Sequence, residues 1–229
     1  MKTLLGLISA IAWIAVASTA RADHHEVFIH DIVLLDADTC AVELQIEENN
    51  QNGFEGTDRI EINGGLLASI GDTEAATINT GGHTNAGDAI LFASNDFVNE
   101  TGLTADIEFD DSNCSSFIPG SVFTFVIDDP AFGGPNKVID TFTLPGGFIT
   151  NVVAFRDSMQ ASAQLIGLDG DTAVITNNSG AEVVLGVNPD DNGGCRLAKN
   201  SAGHPEGWLI GAGLLSWLLL RKRRHVKAQ

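Results

Sequence analysis

The residues with most chemical potential sit near the start of the chain, where Asp23, His24 and His25 follow the sequence Ala20-Arg21-Ala22. Cleavage after Ala22 would leave histidine third from a free amine. The amine, two backbone nitrogens and that imidazole make the nitrogen-rich square plane that suits Cu(II) or Ni(II). The competing reading is a frayed, solvated terminus, the common fate of first residues. His30 follows a few positions later, on what reads as the first strand.

Calcium is the second candidate cation. Oxygen-rich loops occur at Asp36-Ala37-Asp38, Asp110-Asp111, Asp128-Asp129, Asp169-Gly170-Asp171 and Asp190-Asp191-Asn192. Asn188, Asp190, Asn192 and Gly193 begin like an EF-hand loop, but its twelfth position is Lys199, where a bidentate glutamate is needed. Most of these pairs read as solvated turns. No cofactor is firmly implied; calcium and copper are the two possibilities.

Catalytic signatures are missing. The chain has no G-x-S-x-G elbow, no H-E-x-x-H and no G-x-x-x-x-G-K-[ST]. His83 stands alone in a Gly/Thr/Asn loop, a setting that usually means solvation. A glycosidase-like pair of carboxylates needs only two acids at the right separation, and sequence cannot pick them out of so many. Tyrosine is absent, and Trp13, Trp208 and Trp217 lie near the chain ends, so the central region lacks the usual sugar-stacking residues. The expectation is a protein that is not an enzyme.

Charge narrows the partners. Thirty acidic residues face twelve basic ones, and between Asp23 and Cys195 the basic side chains are only Arg59, Lys137 and Arg156. Nucleic acid is thereby disfavoured, because phosphate binding needs a basic footprint. Adhesion to anionic lipid is disfavoured for the same reason. Solubility in a salty habitat explains the acidity with fewer assumptions than cation binding does.

Both ends read as targeting segments. Residues 1–22 form a signal peptide, with Lys2 as the basic start, an apolar run from Leu4 to Ala17 and the A-x-A cleavage site. Residues 192–229 hold Asn192, Gly193, Gly194 and Cys195, a polar spacer, an apolar run from Trp208 to Leu220, and then Arg221, Lys222, Arg223 and Arg224. A helix over 208–220 covers about 20 Å against a hydrocarbon core of about 30 Å, a length suited to transient membrane holding. The basic cluster should remain cytoplasmic, leaving the preceding chain outside.

The order Gly-Gly-Cys, spacer, apolar helix, basic end resembles the cysteine-containing C-terminal sorting signals of Gram-negative bacteria, the MYXO-CTERM and JDVT-CTERM types. That resemblance implies processing near Cys195 by a sorting protease, after signal peptidase has acted, and display at the cell surface on a lipidated cysteine. The spacer from Arg196 to Gly207 is longer than in the first type, and His225 to Gln229 continue past the usual stop. Pro205-Glu206 is similar to part of the PEP-CTERM motif, whose first proline is missing. A plain C-terminal membrane anchor is the simpler alternative.

If Cys195 belongs to that signal, Cys40 and Cys114 remain as a pair that an oxidising compartment would join. Cys114 with Cys195, or two buried free thiols, are the other arrangements.

The elements that must position any site lie in residues 23–191, long enough for one domain. Val42, Leu44 and Ile46 alternate with Glu43, Gln45 and Glu47, the period-two pattern of a strand with two unlike faces. Val122 to Ile127 is a second clear strand. Further candidates are Val27–Leu35, Asp58–Ile62, Ala89–Phe92, Thr104–Phe109, Val138–Phe142, Phe148–Phe155, Thr172–Thr176 and Glu182–Val187. Turn signals such as Asn63-Gly64-Gly65 and Asp169-Gly170 separate them. Short helices are expected at Ser94–Glu100 and Ser158–Leu165. The pattern predicts an all-β fold, a single antiparallel β-sandwich flanked by a signal helix and a short membrane helix. The pieces CAVELQIEENNQN and NAGDAILFASNDF resemble lamin-tail-like β-sandwich domains of secreted bacterial proteins, which implies a fold and no catalytic residues.

The functional expectation is an exported, surface- or envelope-anchored, non-catalytic module with a structural or binding role. A secreted hydrolase using carboxylates is the alternative.

Overall fold

The structure is a computed structural model and describes residues 26–51, 53–129 and 134–186. The signal segment, the Asp23-His24-His25 motif, the Asp190-Asp191-Asn192 loop and the sorting tail with Gly193, Gly194, Cys195 and Arg221 to Arg224 lie outside the described residues.

The chain is mostly β. In order it forms β1 (Val27–Leu34), β2 (Cys40–Ile46), β3 (Arg59–Ile62), β4 (Gly65–Ser69), α1 (Asp72–Thr80), β5 (Ala89–Ser94), α2 (Asn95–Thr101), β6 (Ile107–Phe109), a 3-10 turn (Asp111–Ser116), β7 (Val122–Asp129), β8 (Gly134–Thr143), β9 (Val152–Phe155), β10 (Gln164–Gly167), β11 (Thr172–Thr176) and β12 (Glu182–Gly186). One sheet has the order β10-β9-β1-β2-β5-β6, a second β4-β3-β7-β8, and β11 and β12 make a separate hairpin.

The pairings are antiparallel as expected, with one exception: β5 and β6 run parallel. The chain leaves β5 through α2 and returns along the same edge, so a short helix serves as the crossover that a parallel pair requires. Only Ile107–Phe109 of the expected 104–109 strand is extended.

Two hydrophobic clusters define three layers. The larger lies between the two sheets and takes Val27, Ile29, Ile32 and Leu34 from β1, Val42 and Leu44 from β2, and Phe123, Phe125 and Phe142 from the four-stranded sheet. The smaller lies on the opposite face of the six-stranded sheet, where Val33, Ala41 and Leu91 meet Phe97 of α2 and Ile175 and Leu185 of the hairpin. β1 and β2 are therefore covered on both faces.

Local signals explain several boundaries. Asn63 and Gly64 both take positive φ, 51° and 78°. That is the two-residue turn whose twist matches a β-hairpin, and it joins β3 to β4. Ser94 caps α2 by accepting from the Phe97 N–H, and Gly102 ends the helix in the left-handed conformation at φ 71°. The short helix expected near Ser94–Glu100 is thus present. The one expected at Ser158–Leu165 is not: 158–163 is turn and irregular chain, and Gln164 begins β10 against β9. Pairing with an open sheet edge satisfies the backbone there better than an isolated helical turn could.

Cys40 and Cys114 form a disulfide, with Cα atoms 5.6 Å apart and 74 positions separating them in sequence. It ties the start of β2 to the 3-10 turn, and both residues are buried. Closing a loop of that length contributes about 4 kcal/mol.

Candidate functional site

The site grows from an irregularity in β1. Ile29 pairs with Leu44 and Asp31 with Glu43, leaving His30 as the extra residue of a β-bulge. A bulge breaks the period-two alternation. Val27 and Ile29 before it, and Ile32 and Leu34 after it, consequently face the same core. His30 and Asp31, adjacent in sequence, come to lie beside the same β2 residue, Glu43.

His30 Nδ1 stands 2.5 Å from Asp31 Oδ2 and 3.4 Å from Glu43 Oε1. The side chain of His30 is 21% exposed, whereas those of Asp31 and Glu43 are 6% and 5%. The second oxygen of Glu43 accepts the backbone N–H of Thr176 at 2.7 Å, so the hairpin layer clamps this carboxylate from above. The Phe28 ring meets the imidazole edge-on at 5.8 Å. Each of the three residues offers a donor atom within 4.8 Å of the others.

Electrostatics favour a protonated cluster. Burial opposes charge on His30, but hydrogen bonds to Asp31 and Glu43 outweigh it, and its pKa is pushed up to about 10. Burial also raises Glu43, against the opposing hydrogen bond from His30. The two directions agree: His30 and Glu43 each hold a proton more tightly than in water. One nitrogen and two oxygens converging at a partly open edge can hold a proton or a cation.

A second arrangement joins the sheets. The Ile29 N–H donates to Asp140 Oδ2 at 2.8 Å, and Arg156 Nε donates to the Ile29 carbonyl at 2.9 Å. β9 pairs with β1 only from Asp31 onward, so these side chains take the backbone groups it leaves. Arg156 also donates to Asp140 and lies over the rings of Phe28 and Phe142 at 5.6 and 5.1 Å. Burial raises the pKa of Asp140 and lowers that of Arg156.

A third acidic group borders an open cleft of about 390 Å³ lined by Ile70, Glu74, Asp106 and Glu108 among others. Asp106 Oδ2 accepts the N–H groups of Leu91 and Asn178 at 2.8 and 2.7 Å. Burial raises its pKa despite these bonds.

Several of the acidic loops named as calcium candidates make local hydrogen bonds. Asp36 Oδ1 accepts from the N–H groups of Asp38 and Thr39, both at 3.0 Å, closing the β1–β2 turn. Asp110 caps the 3-10 turn through Ser112, and Asp111 accepts from the Asp96 N–H at the start of α2. Asp169 accepts from Asn151. His83 is half-buried, with Nδ1 3.9 Å from Asp88. His30, Asp31 and Glu43 were not foreseen as a group. Regular alternation would put His30 and Asp31 on opposite faces, and only the adjacent pair His-Asp in an apolar strand hints otherwise.

Comparison with protein-family models, with curated proteins and with solved structures finds no significant match to this chain.

Proposed function

We infer that the chain is an exported β-sandwich module, anchored at the cell surface or outer envelope of a Gram-negative bacterium, with a structural or binding role and no catalytic one. The observation that carries this reading is the disulfide between Cys40 and Cys114. Such bonds persist in oxidising compartments and are rare in a reducing cytosol. The pairing also leaves Cys195 unmatched, as a lipid-accepting sorting cysteine requires. The layered core with a covalent staple suits a rigid displayed domain, and the acidity of residues 23–195 suits solubility in salt.

The test is intact-mass measurement and peptide mapping of the protein from native membranes, with and without reductant. A chain beginning at Asp23 and ending at or near Cys195 with added lipid mass supports processing by signal peptidase and a sorting protease. A chain running to Gln229 makes the tail a plain membrane anchor, and one retaining Met1 removes the export signal.

The alternative, a secreted hydrolase using carboxylates, draws on the cleft where Asp106 meets Glu74 and Glu108. A carboxyl raised by burial, with further carboxyls lining the same cleft, is an arrangement that acid–base chemistry can use. Screening against glycosides and esters checks it. Turnover that survives Asp106→Asn would separate any activity from this cleft.

A further inference from the structure

We propose that His30, Asp31 and Glu43 form a binding site for one divalent transition cation of the zinc class, with a further coordination position open to solvent beside His30. Three observations carry the proposal. The donor set, one imidazole nitrogen and two carboxylate oxygens, is of the kind zinc accepts. Calcium is disfavoured, since it takes six to eight oxygens and three protein donors including a nitrogen fall short. The set is also mostly enclosed: Asp31 and Glu43 are nearly buried, and a dication that displaces the protons of the cluster would neutralise the charge left on them.

Geometry supplies the second argument. Ligand bonds of about 2.1 Å in a tetrahedral site place donor atoms about 3.4 Å apart. His30 Nδ1 and Glu43 Oε1 are already 3.4 Å apart. The His30–Asp31 separation is 2.5 Å, and a cation taking the place of the proton between them would open it by about 0.9 Å. A modest rotation of the Asp31 carboxylate suffices.

Support around the ligands is the third. The Thr176 N–H fixes the far oxygen of Glu43, which leaves the near one aimed at His30. Metal-ligating carboxylates are commonly held in this way. The bulge serves the same end, because it sets His30 and Asp31 beside one partner residue. His30, the partly exposed member of the set, gives the entry path.

The experiment uses the full chain in detergent, with His24→Ala and His25→Ala introduced so that the early histidines do not compete. Zn²⁺ is titrated calorimetrically and by thermal unfolding, and Co²⁺ by visible absorption. The expected result is one equivalent bound, a raised Tm with Zn²⁺ and no matching rise with Ca²⁺ at equal ionic strength. His30→Gln should weaken binding by about tenfold or more, and Glu43→Gln likewise. His30→Gln decides the matter if the buried Glu43 variant fails to fold. Absence of stoichiometric binding in the parent, or undiminished binding in His30→Gln, overturns the proposal. A chain that is processed and anchored yet binds no zinc would sink this proposal alone.

Discussion

Arg156 and Asp140, from the chain just after β9 and from β8, meet across the seam between the two sheets and share the backbone of Ile29 between them. Asp140 takes the Ile29 N–H and Arg156 takes its carbonyl. Both residues are buried, at 5% exposure, so each depends on the other for its charge.

Removing one partner should therefore cost far more than removing both. Asp140→Asn or Arg156→Met is expected to destabilise the domain by about 3 to 5 kcal/mol, by stranding a buried charge. The double change Asp140→Asn with Arg156→Met should cost less than the sum. Urea denaturation of the four proteins gives the coupling directly. Additive losses would show that the seam is held by packing alone.

Reduction of the Cys40–Cys114 bond should lower stability by about 4 kcal/mol, mainly by releasing the unfolded chain. Comparing urea midpoints with and without reductant measures this while preserving the buried sulfur volumes. An unchanged midpoint would mean that the reduced chain stays constrained by other contacts.

Stability should fall as pH rises through the neutral and alkaline range when a chelator removes metal. His30 goes from 6.5 to about 10 on folding, so its contribution is fully present below pH 6.5 and lost as pH climbs through 10. Glu43, raised by burial from 4.5, acts with the same sign because the folded state again binds the extra proton. A loss on the order of 3 kcal/mol across that window is expected, and His30→Gln should flatten the profile. Equal slopes in parent and variant would remove His30 as the cause.

Ser94 serves two elements at once. Its hydroxyl accepts the Phe97 N–H at the start of α2 and the Cys40 N–H at the start of β2, at 3.2 and 3.1 Å. Ser94→Ala should cost about 2 kcal/mol, more than the roughly 1 kcal/mol of an ordinary helix cap, since a buried N–H on β2 loses its partner as well. Thermal unfolding checks it, and a loss of only a few tenths would mean that water replaces the hydroxyl.

Much of the fold was legible because its strands carry β-branched and aromatic residues between Gly- and Asn-rich turns. Val122–Asp129 and Thr172–Thr176 are close to the runs read from sequence. What escaped had weak local signals. α1 buries only Ala75 and Ile78, and it starts after Gly71 with no side-chain cap. β4 begins at a glycine and leaves Leu66 exposed, so it lacks a clean alternation. The polar face of β2 was readable, but not its cover: Glu43 is buried because a hairpin more than a hundred positions later folds over it. The cluster at His30 was hidden for a related reason. It depends on an extra residue in one strand, which shows only once the partner strand is in register.

That extra residue gives β1 one position it can lose. Deleting His30 would leave a strand that pairs regularly with β2 throughout, with Ile29 still opposite Leu44 and Asp31 still opposite Glu43. Plain alternation would then keep Val27 and Ile29 on the face of Ile32 and Leu34, inside the inter-sheet core, with Phe28 on the other side. Losing one residue from the regular run Ile32 to Leu34 would be the heavier lesion, because every side chain on one side of the cut would change face.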